Sequence, residues 1–489
     1  MSIKEMTLNK MALNKITLDK MSKKPVLKRL ISKRAGKSLI IAACLLVTSL
    51  SITACSMNDA IDIAGELASD ISEGAQTAGR EIEDIYEDFT GTSPGTQDDT
   101  GSNGSQTGST DIADFYESII ESASDDYPTS QMQQALDDIG LSDSAVEAVR
   151  SDQAGYYYYE QLSGDEQKLY AQIYYILTSQ AQDIYISTTD MDEVEKVQQC
   201  ILNDHPEIFY VEGYLMNRYM DSDNGDIKAI TYGGSYTLSA SEISDRQARL
   251  LEAADSIIDG MPDTSDEYEI VKYFYDYIVL NTQYSMDSED NQNICSVLLN
   301  KESVCQGYAK TLQYLLQKVG ITCEMVSGTV DNGVTTANHA WDIVKIDGNW
   351  YYVDPTWGDS SFSGSAASDT EVVNYAYLCV TTDQLSVTHK INEVVKMPEC
   401  SSTIDNYFVR ENALFDSIDT SKLSSLFNQA ITSGSSSVTF RCTDIEVFNE
   451  MKTYLFESDG GCVFQYLPAQ STRAVYLAQD STLTFIVWL

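Results

Sequence analysis

The stretch NHAWDIVKIDGNWYYVDP, Asn338 to Pro355, decides the fold of the chain around it. Apolar and polar residues alternate on both sides of Asp347-Gly348. That dipeptide favours the two positive φ angles of a type I′ turn, so the segment reads as an antiparallel hairpin. With Asp347 and Gly348 as the loop, Ile346 faces Asn349 and each further pair follows one step outward. Carried to its open end, this register sets His339 opposite Thr356, with Asp354 two residues from that partner. Residues of one parity on facing strands share a sheet face. The imidazole and the carboxylate are therefore expected as diagonal neighbours.

Upstream, Cys305 opens a helical stretch, Cys305–Val319, with Leu312, Leu315, Leu316 and Val319 at core spacing. A cysteine at a helix N-terminus has its thiolate favoured by the macrodipole and the unpaired N–H groups. Gln306-Gly307-Tyr308-Ala309 leaves the first turn slim, which is expected to let a substrate approach the sulfur. Ile321–Val330 reads as the strand between this helix and the hairpin. The chain has three histidines, His205, His339 and His389, so an imidazole base has few candidates. A base oriented by a carboxylate is what a cysteine nucleophile needs.

The segments YDYIVLNTQY, NQNICSVLLNKES, VCQGYAKTLQYLLQKVGI and NHAWDIVKIDGNWYYVDPTW, taken in order, resemble the transglutaminase-like superfamily over roughly Asp266–Tyr377. The resemblance implies an α+β fold with a papain-like core. It implies Cys305 as nucleophile, His339 as general base and Asp354 as the residue that orients it. It also implies an oxyanion hole completed by an upstream side chain, with Gln283 or Tyr284 as candidates, and a cleft flanked by Trp341 and Trp357. The activity implied is that of a cysteine enzyme acting on amide bonds of peptides or proteins, cell-wall peptide included, through a thioester acyl-enzyme. Hydrolysis and acyl transfer both stay open. The competing reading is a non-catalytic binding module that grips a peptide in the same cleft. His389 lies in NYAYLCVTTDQLSVTHK, which resembles the strand and loop following the core in bacterial members, and it reads as structural or exposed. His205 begins a turn and reads the same way. No CxxC pair exists and the histidines are not at ligand spacing, so neither a metal site nor a cofactor is expected.

Charge narrows the partners. The 489 residues hold 74 acidic and 31 basic side chains. Eleven of the basic ones lie in Met1–Ala54 with only Glu5 and Asp19, leaving 20 basic against 72 acidic from Cys55 onward. Such a surface repels phosphate backbones and argues against nucleic-acid binding. Lys301 and Lys310 flank the nucleophile, while Asp287, Glu289, Asp290, Asp342, Asp347 and Asp359 share its segment. An acidic cleft that prefers cationic peptides is the expectation.

The N-terminus reads as an address. Lys23–Lys37 is basic, Ser38–Ala54 is mostly apolar, and Ile52-Thr53-Ala54-Cys55 ends it with small residues before a cysteine. This resembles the lipobox of bacterial lipoproteins. It implies a signal peptide over 1–54, lipidation of Cys55, and an extracytoplasmic protein anchored to the bilayer. The pentads MTLNK, MALNK and ITLDK ahead of it have no physical account. Residues 55–110 read as an acidic segment and a tether, since 15 of the 21 residues of Thr90–Thr110 are Gly, Ser or Thr.

An N-terminal α+β domain is expected over 111–240, with helices at Asp165–Gln180 and Asp190–Asn203 and β-rich runs at Ile208–Met220 and Ile227–Leu238. Asp221–Asp226 between those runs reads as a hairpin turn rather than a calcium loop, and Tyr156–Tyr159 as packing. The catalytic domain is expected over 241–400, with helices at Ser241–Gly260 and Thr264–Asn281. A small α/β domain is expected over 401–489, with helices at Ser421–Ser433 and Asp444–Glu457. Its strands are expected at Ser437–Cys442, Cys462–Tyr466, Ala474–Leu477 and Leu483–Leu489. Cys442 and Cys462 would then sit on successive strands within pairing reach, although buried free thiols are the default for the cysteines.

Overall fold

The computed structural model describes residues 116–123, 129–221, 223–331, 336–359, 372–457 and 461–489. The basic, apolar and tether segments, Cys55 among them, lie outside these residues. The chain is α+β. Its central elements are helices α1 (Glu267–Asn281), α2 (Cys305–Lys318) and α3 (Pro355–Gly358), with strands β1 (Cys323–Asp331), β2 (Thr336–Ile346), β3 (Asn349–Val353) and β4 (His389–Ile391).

The hairpin forms in the expected register. Asp347 and Gly348 adopt φ of 47° and 85°, and Ile346 pairs with Asn349. The ladder ends at Asp342–Val353, short of the expected His339–Thr356 pair. Pro355 has no N–H to continue it and instead opens α3, which Asp354 caps. On its other side β2 pairs with β1, where His339 faces Gly328. Strand β4 then adds antiparallel to β1, giving the order β4-β1-β2-β3.

Helix α2 packs Leu312, Leu315 and Leu316, all wholly buried, into the core. Its Gly307 serves packing rather than substrate approach. A Cβ there would stand 2.0 Å from Ser303 Oγ and 2.5 Å from Ser296 Oγ. Gly307→Ala is expected to lower unfolding stability by about 1–3 kcal/mol, read from denaturant midpoints, because those two hydroxyls bond each other at 2.6 Å and must part.

The residues before α1 build a second sheet in the order Tyr116–Ala123, Val211–Met220, Ile227–Tyr236, Ile184–Tyr185, its first pair parallel and the rest antiparallel. Helices Gly164–Thr178 and Met191–Asp204 start at a Ser163/Glu166 capping box and an Asp190 cap, close to expectation. The Asp221–Asp226 connection is a hairpin turn closed by Asp221 N–H donating to Asp226 O at 2.8 Å. Tyr158 and Tyr159 are buried, and Tyr158 donates its hydroxyl to Met325 O at 2.7 Å. One continuous hydrophobic core runs from Leu141 to Cys400, so residues 240/241 fall inside it without a break.

A third sheet, in the order Leu414–Phe415, Ser437–Cys442, Thr484–Trp488, Tyr476–Gln479, packs with helices Thr420–Ser433 and Ile445–Lys452 around a separate core. The strand expected at Cys462–Tyr466 is instead a 3₁₀ turn, Cys462–Gln465. Gly461, at φ 69°, turns the chain there, and the outer position of the sheet goes to Tyr476–Gln479. Cys442 and Cys462 are both free thiols.

Candidate active site

The sulfur of Cys305 sits at the first position of α2, half-buried against Ala309, Met325 and Ala340. Val304 precedes it and supplies no side-chain cap, so the positive end of the helix is not met by a capping oxygen. His339 hydrogen-bonds Oδ2 of Asp354 through Nε2 at 2.7 Å, and Cys305 is a neighbour close enough to help raise its imidazole. Nε2 being taken, Nδ1 is the ring nitrogen left to serve the sulfur. The structure thus brings Cys305, His339 and Asp354 together, with His339 and Asp354 hydrogen-bonded and Cys305 beside the imidazole.

Asp354 is wholly buried and both of its oxygens are occupied. Oδ1 accepts from the backbone N–H of Thr356 at 2.9 Å and of Trp357 at 3.1 Å, the N-cap of α3. Oδ2 accepts from His339 and also from His389, whose Nε2 lies 3.1 Å away. Burial alone would raise the carboxyl, but the two imidazoles hold it well below the usual carboxylate range. Burial lowers His339, yet the charge and hydrogen bond of Asp354, and then the neighbouring Cys305, outweigh it and raise the imidazole to about 10. At neutral pH the proton of this pair therefore rests on His339.

His389, which the sequence reads as structural or exposed, is not exposed. It is buried on β4 and touches the carboxylate that His339 uses. No local pattern announces this: β4 reaches the site by pairing His389 with Val330, far away in sequence. His205 is buried and structural, bonded to Gln153 and Glu207 at 2.7 Å each.

Ligand atoms of His339, Asp354 and His389 lie within 4.8 Å of one another, a set that spacing along the chain did not reveal. Their contacts of 2.7 and 3.1 Å fall short of the about 3.3 Å that separates ligands around tetrahedral zinc. The arrangement fits shared protons better than a metal ion.

The remaining candidates divide. Tyr284 is half-buried with its ring 6.4 Å from that of Tyr308; burial, then the neighbouring Cys305 and Asp354, push its phenol up. Gln283, one residue away on the short strand Gln283–Tyr284, is exposed. Trp357 is half-buried, its ring 6.2 Å from His339 and 5.0 Å from His389. Trp341 is not a cleft wall. It is wholly buried, stacked at 5.9 Å on His339 and edge-on to His389 at 4.9 Å, so it forms the floor under both imidazoles.

The expected charge pattern is also reduced. Lys310, Asp342 and Asp359 are buried, and burial brings the Lys310 amine down to about 8. Lys310 is therefore an interior side chain of α2. Asp287 and Glu289 stay exposed.

Cys305 is reachable where Cys295 and Cys323 are buried. Iodoacetamide is expected to label Cys305 well before those two, as mass mapping over time would read. Cys462 is half-exposed as well. It serves as the internal control, because only the Cys305 rate should fall in His339→Ala.

Residues 255–355 match the family model described as the transglutaminase-like superfamily, a span that holds Cys305, His339 and Asp354 and ends before His389. Among curated proteins, the kyphoscoliosis peptidases of Mus musculus and Homo sapiens are each 24% identical over 134 residues, 25% of this chain and 20% of theirs. The chain thus spans about a fifth of the length of the curated relatives it matches. Among solved structures, a TGase is 14% identical over 29% of this chain and 50% of that one, with a TM-score of 0.21. A putative cysteine protease from Cytophaga hutchinsonii is 15% identical over 29% and 61%, with a TM-score of 0.21. The periplasmic domain of TgpA from Pseudomonas aeruginosa, bound to ethylmercury, is 16% identical over 28% and 59%, with a TM-score of 0.19.

Proposed function

We propose that this chain, built around a transglutaminase-like core, is a cysteine enzyme that opens amide bonds of peptides or proteins through a thioester. The observation that carries the reading is the His339–Asp354 hydrogen bond with the Cys305 sulfur beside the same imidazole at the start of α2. The sulfur attacks the amide carbonyl and the C=O π pair moves onto oxygen, where the first-turn backbone N–H groups of α2 and the side chain of Tyr284 would receive it. Collapse breaks the C–N bond, and the His339 imidazolium gives its proton to the leaving amine. His339, now neutral, takes a proton from water or from an incoming amine, which adds to the thioester and releases Cys305. Asp354 keeps Nε2 protonated throughout, so that Nδ1 does the work.

The test is incubation of the purified chain with a proteome-derived peptide library, with and without an added primary amine. New termini alone mean hydrolysis, and amine-bearing products mean transfer. No product that depends on Cys305 would leave the cleft a binding site.

The proposed setting is extracytoplasmic, with Cys55 lipidated after cleavage of residues 1–54 and residues 55–110 as a spacer from the bilayer. The reading rests on the order basic run, apolar stretch, small residues, cysteine. Cys55→Ser is expected to release the protein from the detergent phase or leave it unprocessed. A variant of mature size that still partitions into detergent would place the anchor elsewhere.

A further inference from the structure

The second imidazole on Asp354 belongs to a chain of bonds whose direction can be worked out. An ionised Asp354 only accepts, so Nε2 of His389 must carry a proton and donate to Oδ2. Burial, joined by the charge of His339, lowers His389 more than Asp354 raises it, so the ring is neutral and its Nδ1 is an acceptor. Thr388 Oγ1, 2.8 Å from Nδ1, is then the donor. Its oxygen in turn accepts from the Tyr377 hydroxyl at 3.0 Å. Protons thus point one way, from Tyr377 to Thr388 to His389 to Asp354. The Trp341, Trp357 and Tyr377 rings surround His389 at 4.9, 5.0 and 5.2 Å.

We propose that His389 is a positioning residue of this site: by donating to Oδ2 it locks the Asp354 carboxylate in the orientation that aims His339 at Cys305. Thr356 N–H, Trp357 N–H, His339 and His389 together fill the acceptor sites of the carboxylate. Without His389, Oδ2 has one fewer restraint and the hydrogen bond that steers His339 loosens. His389 does not touch the sulfur and acts only through Asp354. This rests on the cysteine-enzyme reading above and adds a residue to it.

The experiment separates hydrogen bonding from packing by using the alkylation rate of Cys305, which needs no known substrate. His389→Gln keeps an N–H donor but loses the ring, and His389→Phe keeps a ring but loses the donor. Each is checked for folding by circular dichroism and thermal melting. The expected result is a near wild-type rate in His389→Gln and a rate about tenfold lower in His389→Phe, the effect of one hydrogen bond to a charged group. Should either fail to fold, Thr388→Val is the fallback. It removes the hydroxyl that steadies His389 through Nδ1 without changing shape, and is expected to slow Cys305 about threefold. A full rate in His389→Phe, or equal losses in both His389 variants, would overturn the proposal, as would a full rate in Thr388→Val. His339→Ala distinguishes the failures: if it leaves the Cys305 rate unchanged, the cysteine-enzyme reading falls and this inference with it.

Discussion

Asp354→Asn is expected to cut turnover by about 10³–10⁴-fold while the chain still folds, because the carboxylate sets which nitrogen of His339 carries the proton. An amide can offer Nδ2–H to the ring instead of accepting from it, and the imidazole then loses the tautomer that faces Cys305 with Nδ1. The pH profile should change with the rate. In the native chain the alkaline limb of kcat/KM should follow His339, which Asp354 and Cys305 raise to about 10 against burial. Without the negative charge the lowering by burial is unopposed on that side, and the limb moves down toward neutrality. Stability follows the same linkage. The raised His339 contributes fully below its ordinary 6.5 and loses that contribution as pH climbs through about 10. The depressed Asp354 contributes above its ordinary 3.8 and loses it in acid. Asp354→Asn should therefore flatten the dependence of melting temperature on pH at both ends. A variant that keeps both its rate and its alkaline limb would remove Asp354 from the mechanism.

Trp341→Ala is expected to cost about 3–5 kcal/mol of unfolding free energy, among the largest losses for a single side chain here. The ring is wholly buried and lies under His339 and His389, and its removal leaves a cavity below both. Trp341→Phe separates the two roles of the ring. It keeps an aromatic floor and removes an indole N–H that has no hydrogen-bond partner, so it should cost less than about 1.5 kcal/mol. Denaturant unfolding of the two variants reads the first quantity, and the alkylation rate of Cys305 reads how far the imidazoles have tilted. Equal losses for Ala and Phe would mean that the indole makes a contact Phe cannot replace.

What could be read in advance was local. Asp347-Gly348 fixes a turn by its own backbone preference, and the register follows by counting outward from it. Cys305 opens a helix because the apolar spacing after it is helical. Counting outward puts Asp354 near His339 through a ladder that in fact stops at Val353, and the two still meet because Asp354 caps α3 with Oδ1 and leaves Oδ2 to His339. Partners set by sheet order were not legible. His389 joins through β4 beside β1, and Tyr116–Ala123 pairs in parallel with Val211–Met220, neither of which leaves a periodic trace. Burial of charge was not legible either. Lys310 and Asp342 look like surface residues by type, and only the packed helix and sheet show them inside.

The shared core behind the site has a consequence for how the molecule opens. Tyr158 donates across 167 positions to Met325 O, Gln313 Nε2 donates to Asn203 O at 2.6 Å, and Tyr157 donates to Lys396 O at 2.7 Å. Such links tie residues well before the matched span to β1, to α2 and to the segment that follows β4. Amide hydrogens in helix Met191–Asp204 and in β1 and β2 should then exchange through a single cooperative opening, with equal free energies and equal responses to denaturant. The sheet around Phe440 and Phe485 has its own core and is free to open at a different cost. A nick near residue 222 would for the same reason weaken protection in β2 as much as in the strands beside the cut, and a fragment limited to residues 255–355 would expose to water the apolar surface that Leu141–Ala254 cover in the shared core.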